Sequence, residues 1–228
     1  MRLVFLGYPG SGKGTVAGRI QKAYGVPAIS TGVILREEIA EGTELGKQVK
    51  PQVEGGGLVP DELVARIVEG RLTEDRLRVS GFSLDGFPRT VPQAELLDRY
   101  LAGKSAPLHR AIYLEVDKLI ILKRLTARRT CRSCGEIYNL ITKAPLKPGM
   151  CDVCGGALYQ REDDQEDALR KRMREYHAQT QPVLHYYQSR NVLSRVDGGG
   201  TPEEVFAEVE RAVESDPIPR WKLTKFPR

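Results

Sequence analysis

The sequence predicts an α/β protein, a parallel β-sheet with helices packed on both faces. Three observations carry this. Five short apolar runs, "RLVFLG" (2–7), "PAIS" (27–30), "GFSLDGF" (81–87), "RAIYLEV" (110–116) and "VLSRV" (192–196), alternate with segments of helical period. The first run is apolar at nearly every position, as a strand buried on both faces requires. It ends in a glycine-rich turn that opens a helix.

The elements follow in order. A helix is expected from Gly14 to Ala23, directly after the glycine turn. From Thr31 to about Arg71 the pattern is helical, broken by "EGGGLVPDE" (54–62), where Pro60 and Asp61 suit a helix start. The third strand is followed by a helix opening near Pro92, and the fourth by a helix over 117–129. Residues 130–161 hold four cysteines, glycine and proline, with little helical period. One long helix is expected from Asp163 to Ser189, and a last one over 201–214. The tail "DPIPRWKLTKFPR" (216–228) has three prolines and no clear period, and reads as a docked arm or a loose end.

A chain of 228 residues, 40% hydrophobic and 29% charged, has the balance of one substantial globular domain with small insertions. No apolar run approaches the ~18 residues of a membrane span. "MRLVFLG" is too short for a secretion signal, so a cytoplasmic protein is expected. The formal charge of +5 suits small polyanions such as nucleotides as well as nucleic acid.

"GYPGSGKGT" (7–15) carries the first chemistry. Gly7, four residues, then Gly12-Lys13 matches a phosphate-binding loop, with Gly14 intervening before Thr15 where the strict pattern has Ser or Thr directly after Lys. Glycines let backbone N–H groups converge on phosphate oxygens, the helix N-terminus adds its positive end, and Lys13 supplies a mobile full charge. Thr15 can cap the helix or approach Mg²⁺.

"LDGFPRT" (84–90) puts Asp85 at the carboxyl end of a buried strand, where doubly wound sheets bind ligands and a carboxylate suits Mg²⁺. Arg89 can clamp a second phosphate, and the Gln93 amide suits a base edge. Arg124 and Arg128, spaced i,i+4 on the 117–129 helix, are expected on one face. With Arg36, Arg161 and Arg172 they form a cationic set of the kind phosphoryl transfer needs, because its transition state spreads negative charge over several oxygens. His109, His177 and His185 are scattered and read as surface or packing residues.

Cys131-x₂-Cys134, sixteen residues, then Cys151-x₂-Cys154 fits a tetrahedral four-thiolate zinc site. Four sulfurs fill zinc's coordination and leave no position for a catalytic water, so the metal is expected to staple a segment too small to bury a core. Between the outer cysteines Tyr138 is the only aromatic and Arg132, Lys143 and Lys147 the only cations, which is sparse for a nucleic-acid-binding ribbon.

With "STGVILR" (30–36), "GLVPDEL" (57–63), "LDGFPRTVPQ" (84–93), "LYQREDDQEDALRKR" (158–172) and "VDG" (196–198), these motifs make the chain resemble the adenylate kinase family, in its long form with a zinc-bearing lid, from Met1 to about Val213. The resemblance implies a five-stranded P-loop nucleoside monophosphate kinase core (1–30, 61–129 and 162–215), a helical monophosphate-binding insertion (31–60) and a zinc lid (130–161). It implies reversible phosphoryl transfer from MgATP to AMP, giving two ADP, by a monomer with no nucleic-acid or membrane partner. By motif match, Gly10, Ser11, Gly12, Lys13, Gly14 and Thr15 resemble the ATP phosphate cradle. Arg124, Arg128, Ile137, Tyr138 and Gly200 resemble further ATP contacts. Thr31, Arg36, Gly57, Leu58, Val59, Gly86, Phe87, Pro88, Arg89 and Gln93 resemble the AMP pocket, with Arg161 and Arg172 on the phosphates. Asp163 and Asp164 match an acidic pair at the lid hinge.

Three departures stand out. Val33 occupies a position where the family usually has Asp, Tyr8 replaces a small residue in the phosphate loop, and the tail from Asp216 has no usual counterpart. Other readings are a UMP/CMP or GMP kinase on the same scaffold, a zinc-ribbon nucleic-acid binder and a catalytically weak scaffold.

Overall fold

The computed structural model describes residues 1–214; the tail 216–228 lies outside the described residues. Five strands, β1 (Arg2–Leu6), β2 (Ala28–Ser30), β3 (Phe82–Asp85), β4 (Arg110–Glu115) and β8 (Leu193–Asp197), form one sheet in the order β2-β3-β1-β4-β8. All four pairings are parallel.

Strand β1 shows why the sheet is buried on both sides. Successive side chains point to opposite faces. Val4 and Leu6 enter a core shared with Phe82, Leu84, Leu97 and Val183, while Leu3 and Phe5 enter a second core with Val16, Ile20, Ile112 and Val209. The first face is covered by α2 (Thr31–Glu41), α4 (Asp61–Arg71), α6 (Val91–Gly103) and α9 (Gln181–Gln188). The other is covered by α1 (Lys13–Tyr24) and α10 (Pro202–Glu214).

The helical region after β2 is three helices, because Gly42 takes a left-handed conformation at the end of α2 and Thr43 caps α3 (Glu44–Glu54) with its side chain. A short helix, α5 (Glu74–Arg78), capped by Thr73, precedes β3 and had no periodic signature in so few residues.

Two expectations need correction. The helix after β4, α7, runs only from Lys118 to Thr126. Arg128 therefore opens a strand, β5 (Arg128–Cys131), and does not share a helix face with Arg124. The expected single helix over 163–189 is four pieces: a 3₁₀ turn (Glu162–Asp164), α8 (Glu166–Glu175), a wide π turn (Tyr176–Thr180) and α9. Pro182, lacking an N–H, sits in the first turn of α9, where none is needed.

The cysteine segment folds as a three-stranded antiparallel sheet, β5 flanked by β6 (Ile137–Asn139) and β7 (Leu158–Tyr159). Its interior consists of Cys131, Cys151 and Tyr138, with Leu158 against them. No helix among the described residues is long and apolar enough to cross a membrane.

Candidate active site

Register along the sheet brings the chemistry to one edge. Phe5 lies opposite Asp85, and Asp85 opposite Ser30, so the carboxyl ends of β1, β3 and β2 open together. A cleft of about 1320 Å³ follows this edge, bounded by the loop after β1, the start of α2, the end of α7, the cysteine sheet and α8. A smaller hollow continues it between Thr31, Gly57, Val59 and Gln93.

The loop after β1 has the geometry its glycines require. Gly10 has φ +82°, and a Cβ there would come within 2.8 Å of Leu125. Gly12 caps α1 at φ +97°, where a side chain would be strained. Lys13 Nζ folds back over the loop, donating to the carbonyls of Gly7 (2.9 Å) and Tyr8 (2.8 Å). Burial pushes its ammonium down to about 8, with Asp85 opposing and Arg89, Arg172 and Arg128 adding to the fall. Ser11 Oγ is buried without a hydrogen-bond partner. Asp85 stands beside the first turn of α1, with Oδ2 3.3 Å from where a Cβ on Gly14 would lie. Its carboxylate next to the Thr15 turn offers hard oxygen donors of the kind Mg²⁺ prefers.

The arginines converge. Arg89 Nε donates to the Gly86 carbonyl at 2.9 Å. Arg124 spans the turn after β8, donating to the carbonyls of Gly198 (2.9 Å), Gly199 (3.3 Å) and Gly200 (3.4 Å). Arg161 Nε donates to Thr130 Oγ1 at 2.8 Å. Burial, then Arg36 and Arg128, push its guanidinium down; since arginine keeps its proton, the direction reflects burial first and the crowding of like charge second.

Two buried carboxylates answer these cations. Asp164 takes both Arg128 and Arg172, and Asp163 takes Arg172 at 2.9 Å. Burial alone would raise the Asp163 carboxyl, but Arg172, Arg36, Arg128 and Arg161 outweigh it and hold it below the usual carboxylate range.

Most of the expected nucleotide residues therefore border one cleft, including Arg36, Leu58, Gly86, Pro88, Ile137 and Gly200. Two side chains point elsewhere. Phe87 is 2% exposed in the main core, behind a cis peptide bond to Pro88. Tyr138 is 1% exposed, with its hydroxyl accepting from the Asp152 N–H and 3.4 Å from Cys151 Sγ. Val33 faces the cleft and brings no carboxylate. The Gln93 amide is partly committed: its oxygen accepts from the Arg89 N–H at 2.7 Å and its nitrogen donates to Asp61 at 2.8 Å. Each end keeps capacity for one more bond.

Three further residues take part without a local signature in the sequence. Asp61, which suits a helix start, also accepts from both Gln93 and Thr90. Asn139 ties the cysteine sheet to the end of α7, donating to the Arg124 carbonyl at 2.9 Å. His177, read as a surface or packing residue, is exposed but bonds to the Tyr8 hydroxyl at 2.8 Å. All four bonds join residues at least fifteen positions apart in sequence, which no local pattern announces.

The four cysteine sulfurs lie within 4.8 Å of one another, with Cys131 to Cys154 at 3.4 Å and Cys134 to Cys151 at 3.6 Å. Zinc bonds of about 2.3 Å in a tetrahedron place sulfurs about 3.8 Å apart, so the set fits zinc.

A family model described as "Adenylate kinase" matches residues 5–192. Curated proteins named adenylate kinase are similar over nearly the whole chain. That of Thermodesulfovibrio yellowstonii is 48% identical over 209 residues, 92% of this chain and 97% of its own. That of Archaeoglobus fulgidus is 48% identical over 214 residues, 94% and 98% of the two chains. That of Thermosipho africanus is 49% identical over 209 residues, 92% and 97%.

Proposed function

The chain belongs to the adenylate kinase family, whose reaction is phosphoryl transfer between ATP and AMP to give two ADP, and on that premise we propose how its residues divide the work. The observation that carries the proposal is the convergence of Lys13, Asp85 and the arginines on one cleft at the carboxyl edge of the sheet.

The phosphate loop, Gly10 through Thr15, holds the β- and γ-phosphates of ATP through its N–H groups. Lys13 leaves the Gly7 and Tyr8 carbonyls to follow the transferred group. Arg124 and Arg128 serve the ATP side, where Arg124 also braces the Gly198–Gly200 turn against the adenine. Arg36 and Arg89 hold the AMP phosphate, and Arg161 and Arg172 bridge the two nucleotides. Thr31, Gly57, Leu58, Val59, Gly86 and Gln93 shape the monophosphate pocket, supported by their place around the smaller hollow.

Fixing two nucleotides in line turns a bimolecular encounter into an intramolecular one, and the fixed cations stabilise the charge spread over the transferred group. No general base is required, because an AMP phosphate oxygen is already a nucleophile. Asp85, with Thr15, would hold Mg²⁺, which neutralises charge on the phosphates of ATP. The four cysteines would hold Zn²⁺, which supplies folding energy to the lid. Residues 31–60 and 130–161 then act as covers that exclude water, which would otherwise accept the phosphoryl group.

Lys13→Ala and Arg89→Ala should each cut ADP formation at least about a hundredfold with the fold intact by circular dichroism. Near-normal turnover of either in a coupled ADP assay would overturn these roles. Turnover with AMP, GMP, CMP and UMP at fixed ATP tests the preference for AMP, which rests on Thr31, Gln93 and family membership.

A further inference from the structure

The bulky residue in the phosphate loop has a specific environment. Tyr8 is 7% exposed, and its ring lies 4.0 Å from the Tyr176 ring, centroid to centroid. Its hydroxyl is 2.8 Å from His177 Nε2. His177 Nδ1 is in turn 2.8 Å from Gln181 Oε1. An amide oxygen only accepts, so Nδ1 carries the proton in the neutral ring and Nε2 accepts from the Tyr8 O–H.

Both partners stand on one structural irregularity. Tyr176 and His177 open the wide π turn between α8 and α9. Such turns interrupt an α-helix at a cost and recur at functional sites. Four residues earlier on the same helical path is Arg172, which faces the phosphates' side of the cleft. The backbone of Tyr8, meanwhile, holds Lys13 Nζ through its carbonyl at 2.8 Å. One residue thus touches Lys13 with its main chain and the Arg172-bearing element with its side chain.

We propose that Tyr8 is a positioning residue for phosphoryl transfer: gripped by Tyr176 and His177, it locks the phosphate loop to the helix carrying Arg172, so that the loop backbone from which Lys13 extends keeps a fixed separation from Arg172 as the transferred group passes between them. The inference rests on the roles assigned above to Lys13 and Arg172. The lock acts through geometry: neither Tyr8 nor His177 lines the cleft, and Tyr176 borders it. Its aromatic half contributes packing, and its hydrogen bond sets the angle at which the ring meets the helix.

The test uses the full chain and three variants, Tyr8→Phe, His177→Ala and the double variant. Tyr8→Phe keeps the ring and the fold, removing only the hydroxyl. Each single variant should lower kcat about threefold to tenfold, the range one such hydrogen bond supplies. KM for ATP and AMP should change by less than about twofold, because binding contacts remain. The double variant should lose no more than either single one, since both remove the same bond. A purely structural role would lower the melting temperature and leave kcat unchanged well below it. Unchanged kcat in both single variants, or losses that multiply in the double variant, would overturn the lock. Lys13→Ala, assayed alongside, separates the cases: if it loses activity while Tyr8→Phe does not, only the lock fails.

Discussion

Arg128 and Asp164 form a two-pronged ion pair at the base of the cysteine sheet: Nε donates to Oδ2 at 2.7 Å, and Nη2 donates to Oδ1. Asp164 is 1% exposed and also accepts from Arg172 at 3.1 Å. On the roles proposed for Arg128 and Arg172, this carboxylate supplies before binding the negative charge that a phosphate supplies after it. Removing it leaves buried cations unbalanced. Asp164→Ala should therefore lose about 3–5 kcal/mol of stability. A saturating mixture of ATP and AMP should raise the melting temperature of the variant more than that of the wild type. An equal shift in both, by differential scanning fluorimetry, would count against the substitution of charge.

The lowered value of Lys13, about 8, makes nucleotide binding depend on pH. A polyphosphate favours the charged ammonium and raises its pKa on binding. Below pH 7 the lysine is charged in both states and no proton moves. At pH 9 it is mostly neutral when free, so ATP binding should take up a proton and affinity should fall as pH rises past 8. Calorimetry in two buffers of different ionisation enthalpy reads the proton directly. No buffer dependence at pH 9 would refute it.

Asp163 acts in the acid range. Its folded value is held below the usual carboxylate range, so its stabilising contribution is present above the unfolded value of about 4 and lost as pH falls through the folded one. Asp163→Asn should be less stable than wild type at pH 6, with the gap closing below pH 4. Urea titrations across that interval measure it.

The cysteine sheet should depend on zinc held by its four sulfurs, as proposed above. Its interior is two cysteines and one tyrosine, with Leu158 against them, too little to fold alone. Chelation, or Cys151→Ser, should lower thermal stability first and activity second. Equal melting temperatures for metal-free and zinc-loaded protein would refute the staple.

Asp61 should influence the monophosphate side. Its two oxygens hold Thr90 at 3.0 Å and Gln93 at 2.8 Å. Asp61→Ala frees the Gln93 amide to turn. KM for AMP should rise several-fold while KM for ATP stays within about twofold, as initial rates at fixed co-substrate would show.

Legible along the chain were the sheet, the phosphate loop, Asp85 at its strand end and the four clustered cysteines. These are local signals: runs of apolar residues, glycines at fixed spacing, paired thiols. Each is set by interactions within a few residues, so each can be read along the chain. Tertiary structure decided what those signals meet. It ended α7 at Thr126 and gave Arg128 to the lid sheet, because β5 pairs with strands up to thirty residues away. It turned the expected helix of 163–189 into segments around a π turn, where Tyr176 and His177 close on Tyr8 from 168 and 169 residues along the chain. It also buried Tyr138 against the sulfurs and set Asp164 between two arginines. Charge compensation and ring packing depend on distance in space, and only the folded chain brings those groups within reach.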